Sequence, residues 1–180
     1  MDQKELIQLA KVGNKEALVD LLKSVERSIY STAFYYMGNE HDAKDITQEA
    51  LIRVYTKLDS FEEKAQFTTW VQRITTNLCM DKFRSNKHNI SIEGAEMIIQ
   101  DCIDTEKEVE NKIMVEDLMT KVMLLPEKIK AAMILRYFNE FSYQEIAEVL
   151  DIPVNTVKSY LFRGREKIYV EYHQGGVNNE

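Results

Sequence analysis

The chain predicts an all-α fold: two small helical domains joined by an acidic linker, the C-terminal one a four-helix domain carrying a helix-turn-helix. Three observations lead there. Apolar residues recur three and four positions apart along most of the chain, which lines them up on one side of helices. Only two prolines and six glycines interrupt it, and the polar–apolar alternation of strands is almost absent. Between Glu93 and Glu110 the charge turns sharply negative, with seven acidic side chains against Lys107 alone, a local −6.

The elements follow in order. Leu6, Leu9 and Ala10 mark a first short helix that breaks at Gly13-Asn14. Ala17, Leu18, Leu21, Leu22 and Val25 open a second, which continues through Ile29, Ala33 and Phe34 to a stop at Gly38-Asn39. Glycine suits the left-handed residue that follows a helix. A third helix, about 41–58, carries a buried stripe of Ala43, Ile46, Ala50, Leu51, Val54 and Leu58. Its other side begins with Asp42, Asp45 and Glu49 one turn apart, where like charges repel by a few tenths of a kcal/mol. The helix N-terminus favours Asp42 and Asp45, and Glu49 can pair with Arg53, so the face reads either as solvated acid or as a docking surface for a basic partner helix.

Residues 59–66, DSFEEKAQ, form a loop that sets Phe61 among polar neighbours. A fourth helix then runs from Phe67 to about Lys87, with Trp70, Val71, Ile74 and Leu78 as its core stripe. Its exposed side is expected to present Gln72, Arg73, Thr76, Asn77, Lys82, Arg84 and Lys87. From Lys64 to Lys87 five cations oppose only Asp81, a local +4. Cations mixed with hydroxyls, amides and aromatics suit a strand of DNA held by its phosphates while bases stack or are captured, against the plainer alternative of a basic solvated helix.

The charge reversal divides the chain into a first domain over 1–88, a linker over 89–108, a second domain over 109–173 and a polar, glycine-rich tail over 174–180 that is expected to fray. Acidic tracts mostly keep linkers hydrated; this one could also mimic nucleic acid in a partner's basic channel. Ile113, Met114, Leu118, Val122 and Met123 outline the first helix of the second domain, which ends before Leu125-Pro126. Pro126 opens the next helix, where Ile129, Ala132, Met133, Arg136 and Tyr137 recur at helical spacing.

SYQEIAEVLDIPVNTVKSYLFRGREK, residues 142–167, then reads as two helices joined by a tight turn. Ser142 and Glu145 make a capping box, and Ile146, Ala147 and Leu150 form the buried side of the first helix. Asp151-Ile152-Pro153 ends it, because proline restricts the residue before it and aspartate tolerates the left-handed conformation. In the second helix Val157, Leu161 and Ile168 fall on one side, leaving Asn155, Thr156, Lys158, Ser159, Arg163 and Arg165 as donors for phosphates and base edges. Four cations there face only Glu166, a local +3 in a chain of net charge −7. Positive charge is therefore placed rather than general, which excludes a protein that coats nucleic acid unaided.

Cys79 and Cys102 match no metal or disulfide spacing, and His41, His88 and His173 are scattered. No metal or other cofactor is expected, no nucleophile constellation supports an enzyme, and a reducing cytoplasm fits best. The N-terminal stretch MDQKELIQLAKVGNKEAL lacks the apolar core of a signal peptide, and no apolar run is long enough to span a bilayer, so membrane insertion is not expected.

Three segments, EHDAKDITQEALIRVY at 40–55, DSFEEKAQFTTWVQRITTNLCMDKFR at 59–84 and LPEKIKAAMILRYFNEFSYQEIAEVLDIPVNTVKSYLFRGREK at 125–167, resemble the extracytoplasmic-function (ECF) group of bacterial sigma factors in order and spacing. The resemblance covers nearly the whole chain. It implies a subunit that binds core RNA polymerase and directs initiation at a small promoter set, catalysing nothing itself, and it suggests control by an anti-sigma factor. It implies that Asp45, Gln48 and Glu49, with Asp42 and Arg53 nearby, bind the coiled coil of the polymerase's largest subunit. Ser60, Phe61 and Lys64 in the loop, with Arg73, Thr76, Asn77, Lys82 and Arg84 in the following helix, would contact and help melt the minus-ten promoter element. Asn155, Thr156, Lys158, Ser159, Arg163 and Arg165 would read the double-stranded minus-thirty-five element in the major groove. Asp151 and Asn155 stand where the group often has glycine, and Tyr160 and Phe162 where it often has arginine or histidine. A free-standing repressor or activator whose helix-turn-helix acts alone as a dimer, the rival reading, leaves Asp45, Glu49 and the Phe67–Arg84 helix without a role.

Overall fold

A computed structural model describes residues 2–86 and 118–174, and all regular structure among them is helical. Local chemistry accounts for each boundary. Helix α1 (Gln3–Lys11) ends before Gly13, whose φ of +88° carries the chain round. Asn14 caps α2 (Lys15–Met37) by accepting from the Ala17 N–H at 3.0 Å. Gly38, at φ +72°, stops α2 and donates to the Phe34 carbonyl. Asn39 caps α3 (Glu40–Lys57) through the Asp42 N–H at 2.8 Å. A 3₁₀ turn (Leu58–Ser60) and a loop lead to α4 (Phe67–Asn86).

The expected linker over 89–108, the start of the second domain's first helix and residues 175–180 of the expected tail lie outside the described residues. From 118 the chain is helical to 123, then turns at Pro126 into α5 (Glu127–Tyr137). Helices α6 (Tyr143–Leu150) and α7 (Val154–Gln174) complete the second set. The α7 helix runs six residues past Ile168, the last apolar position expected on its inner side.

Helices α1 to α4 bury Ile7, Leu21, Val25, Ile29, Ala43, Ile46, Val54 and Val71 between them, and the second set buries Ile134, Leu135, Ile146, Val157 and Leu161. The two sets also share one continuous apolar core. Tyr35 stacks on Phe138 with ring centroids 4.0 Å apart, and the Tyr36 hydroxyl donates to the Glu127 carbonyl at 3.3 Å. Lys130, fully buried, lays its ammonium 3.6 Å from the Phe83 ring centre and 4.7 Å from that of Tyr36. At Gly38 a Cβ would come within 3.1 Å of Met123 Cε, so the helix stop is also a close approach between the sets. The seam places the first helix of the helix-turn-helix against α4.

Candidate nucleic-acid interface

The helix-turn-helix forms as its residues dictate. Ser142 Oγ accepts from the Glu145 N–H at 3.3 Å and Glu145 Oε2 accepts from the Ser142 N–H at 2.8 Å, which satisfies two otherwise orphan donors. Asp151 takes the left-handed conformation, φ 53° and ψ 51°, and the Ile152 N–H returns to the Ala147 carbonyl. The Pro153 carbonyl accepts from Thr156 and Val157, which starts α7. Val157 and Leu161 are wholly buried, while Asn155, Lys158, Ser159, Arg163 and Arg165 are exposed and Thr156 is half-buried. Leu150, expected on the buried side of α6, is only half-buried, and Val149 is buried in addition to Ile146 and Ala147. The Ser159 hydroxyl donates back to the Asn155 carbonyl, and Arg165 donates to the Tyr137 hydroxyl at 3.2 Å. That bond holds the Arg165 guanidinium above its ordinary pKa.

On α3, Asp45, Gln48 and Glu49 are exposed. Glu49 pairs with Arg53 at 2.7 Å, one helical turn on. Asp42 is half-buried, which by itself would raise its pKa; hydrogen bonds from Asn39 and Lys82 outweigh that and hold the carboxyl below the usual range. Lys82 sits 3.0 Å from Asp42 and 3.3 Å from Asp45, and is correspondingly held protonated to higher pH. His41, Asp42 and Asp45 offer ligand atoms within 4.8 Å of one another, but Lys82 already supplies the cation there. A shallow groove between α3 and α4 is lined by Asp45, Ile46, Glu49, Arg53, Leu78, Asp81, Lys82 and Ser85. Beside it Ile52 and Tyr55 are more than half exposed. Sequence reading missed both, although apolar side chains off the buried stripe were the available signal.

The loop and α4 depart most from expectation. Ser60, Lys64, Arg73, Asn77 and Arg84 are exposed. Phe61 lies in the loop but not among polar neighbours: it is 4% exposed and packs on Phe67 and Trp70, with centroids 5.5 and 5.1 Å away. Gln72 and Thr76, expected on the exposed side, are each 1% exposed. Gln72 donates to Ser28 Oγ at 2.7 Å and accepts from Thr32 Oγ1 at 2.9 Å, and Asn139 of the second set reaches the same Thr32 at 3.0 Å. Gln72 is thus held by α2 on a side of α4 that periodicity assigned to solvent, and α6 of the second set also packs against α4. Its cations are engaged as well, Arg73 with Asp151 at 3.4 Å and Arg84 with Glu127 at 2.9 Å. The α1 helix, which carried no expectation of function, touches the loop directly: Lys11 Nζ donates to the Phe61 carbonyl and Gln8 Nε2 to Glu63.

Comparison with known proteins gives two family matches, sigma-70 region 2 over residues 21–89 and sigma-70 region 4 over residues 116–168. The ECF RNA polymerase sigma factor SigW of Bacillus subtilis is 36% identical over 175 residues, covering 92% of this chain and 94% of its own. RNA polymerase sigma-H factor of Pseudomonas aeruginosa is 29% identical, covering 91% and 90%. In fold, the chain is similar to CnrH, solved in complex with the cytosolic domain of CnrY, at a TM-score of 0.72 and 20% identity over 96% of this chain and 99% of that one. It is also similar to sigma factor RpoE of Bartonella quintana, solved with the anti-sigma factor NepR, at 0.66 and 21% over 82% and 91%.

Proposed function

The chain belongs to the extracytoplasmic-function family of bacterial RNA polymerase sigma factors, and on that premise we propose which of its surfaces performs which task. As a sigma factor it binds core RNA polymerase and directs initiation at a particular set of promoters. In our reading residues 1–88 carry the polymerase and minus-ten contacts, 109–173 the minus-thirty-five contact, 89–108 the link and 174–180 a tail.

Polymerase is gripped by α3 through Asp42, Asp45, Gln48, Glu49 and Arg53. The exposed acidic row and the groove beside it support this, and Ile52 and Tyr55 add the apolar area that protein interfaces bury at their centre. The minus-ten element meets Ser60, Lys64, Arg73, Asn77, Lys82 and Arg84, with Phe61 supporting the loop from beneath and Thr76, buried in the packed chain, coming within reach only when that burial is relieved. The minus-thirty-five element is read by Asn155, Thr156, Lys158, Ser159, Arg163 and Arg165. One observation carries the DNA-reading assignment: a helix entered through a tight turn, anchored by fully buried Val157 and Leu161, turns Asn155, Lys158 and Arg163 to solvent.

The packed arrangement bears on mechanism. The Arg73–Asp151 pair brings the minus-ten helix against the turn of the helix-turn-helix, whereas the two elements lie roughly 25 base pairs apart, about 85 Å of B-DNA. The helical sets therefore part on a promoter. Docking on polymerase then supplies the proximity that a chain of net charge −7 does not get from nonspecific DNA affinity. An anti-sigma factor completes the partners in this reading, as NepR partners the RpoE of similar fold. The protein acts in the cytoplasm beside polymerase and catalyses no step itself.

The test is transcription from random promoter fragments with purified core polymerase, run with the unaltered chain and with Asp45→Lys/Glu49→Lys. Initiation at a defined subset of fragments is expected for the first, and loss of holoenzyme on a sizing column for the second. A chain that starts no transcripts, or a double variant that still binds polymerase, overturns the assignment.

A further inference from the structure

The first helix is not part of any surface assigned above, yet it is bonded at two points to the loop over 61–66. Lys11 Nζ donates to the Phe61 carbonyl at 2.5 Å and lies 5.7 Å from the centre of the Phe61 ring. One turn earlier, Gln8 Nε2 donates to Glu63 Oε1 at 2.6 Å. These contacts span 50 and 55 residues of sequence, so they are tertiary choices rather than turn chemistry. Glu63 sits in the left-handed region, φ +56°, which a residue with a side chain adopts at a cost unless its surroundings hold it there. The α1 helix is itself anchored, since Ile7 and Ala10 are buried against the core. Below the loop, Phe61 is wedged against Phe67 and Trp70. The loop is thus gripped at its base by three rings and along one side by α1, while Glu62 and Lys64, an exposed pair, face outward.

We propose that Gln8 and Lys11 are positioning residues that set the minus-ten preference by holding the loop over 61–66 in one shape. The inference rests on the reading that this loop contacts the minus-ten element. A loop fixed before DNA arrives does not lose conformational freedom on binding, and it cannot reshape itself around a wrong base. Its target is an unstacked base of the melted strand, whose edges a loop can sense only if its peptide groups are held still. The Lys11 ammonium, bonded to the Phe61 carbonyl, orients the first peptide of that loop; the Gln8 amide fixes the side chain of the left-handed residue at its crest.

The experiment compares Lys11→Met, Lys11→Arg and Gln8→Ala holoenzymes on promoter pools randomised either at the minus-ten or at the minus-thirty-five element. Lys11→Met and Gln8→Ala are expected to lower discrimination between favoured and disfavoured minus-ten bases by about fivefold or more, the scale of a single base mismatch. Minus-thirty-five preference should not move, and Lys11→Arg, which still donates to the carbonyl, should restore the minus-ten pattern. A uniform loss of transcription with the base pattern unaltered would mean that α1 only supports the fold, and overturns the proposal. Gln8 is exposed, so Gln8→Ala keeps the test decisive should Lys11→Met fold poorly. Replacing 61–66 with a Gly-Ser segment distinguishes the role of the loop from that of the two residues that hold it. If that replacement changes minus-ten preference while the Gln8 and Lys11 variants do not, the positioning role is wrong. If it leaves the preference unchanged, the loop is no reader and the proposal falls with it.

Discussion

Burial sets the chemistry of individual groups along the seam. Cys79 is wholly buried, and desolvation, only partly offset by the nearby Lys130 ammonium, pushes its thiol well above the ordinary 9.0. Tyr36, also buried, is raised above its ordinary 10.0 chiefly by desolvation and then by the Glu127 carboxylate. Both groups stay protonated in the folded chain at a pH where the unfolded chain releases the proton. Their contribution to stability is therefore complete below the ordinary values and is lost as pH rises past them toward the folded ones. Above about pH 9 the cysteine alone should lower stability by about 1.4 kcal/mol per pH unit. Urea unfolding of the unaltered chain and of Cys79→Ala between pH 8 and 10 checks this: the variant should start less stable but decline less steeply. Equal slopes would show that Cys79 does not titrate in this way.

At the scale of the element, α7 packs onto α5 through Gly164. A Cβ there would meet Met133 Sδ at 2.7 Å, Met133 Cγ at 2.9 Å and Ile129 Cγ2 at 3.2 Å. Alanine in a helix interior gains roughly 0.5–1 kcal/mol over glycine, whereas overpacking costs about 1–3 kcal/mol. Steric cost wins, so Gly164→Ala should destabilise the chain by about 1 kcal/mol in chemical denaturation. Shortening the obstacle with Met133→Ala should make the pair of changes less costly than the sum of the singles, the signature of direct contact. Nothing in the local sequence signals this role: a lone glycine inside a helical pattern reads only as a weak point. The capping box, by contrast, was legible from Ser142 and Glu145 alone, because both partners lie within one turn.

At the scale of the molecule, the two helical sets form one packed body in which Arg73, Arg84 and Gln72 are engaged within the chain. The Thr32–Gln72–Asn139 cluster and the Tyr35–Phe138 stack hold the seam. Dyes attached at Thr56→Cys and Glu166→Cys, both exposed positions, in a chain also carrying Cys102→Ser, should transfer energy efficiently in the free protein. Transfer should fall on addition of core polymerase and promoter DNA. Unchanged transfer in a transcribing complex would refute the parting of the sets.

By itself the sequence determined the helices, their stops at Gly13, Gly38 and Asp151, the capping box and the outward cations of α7. Each of these depends on backbone preferences and on partners a few residues away. Only the tertiary structure decided that Gln72 and Thr76 are buried, that Phe61 joins an aromatic cluster, that Arg73 meets Asp151 and that α1 holds the loop over 61–66. Helical periodicity reveals one buried stripe. It is silent about a second, polar one, whose burial depends on partners as remote as Asn139 is from Thr32, 107 residues along the chain. A polar side chain is free to sit in water or in the core, and what decides is whether a partner for its hydrogen bonds is brought to it there.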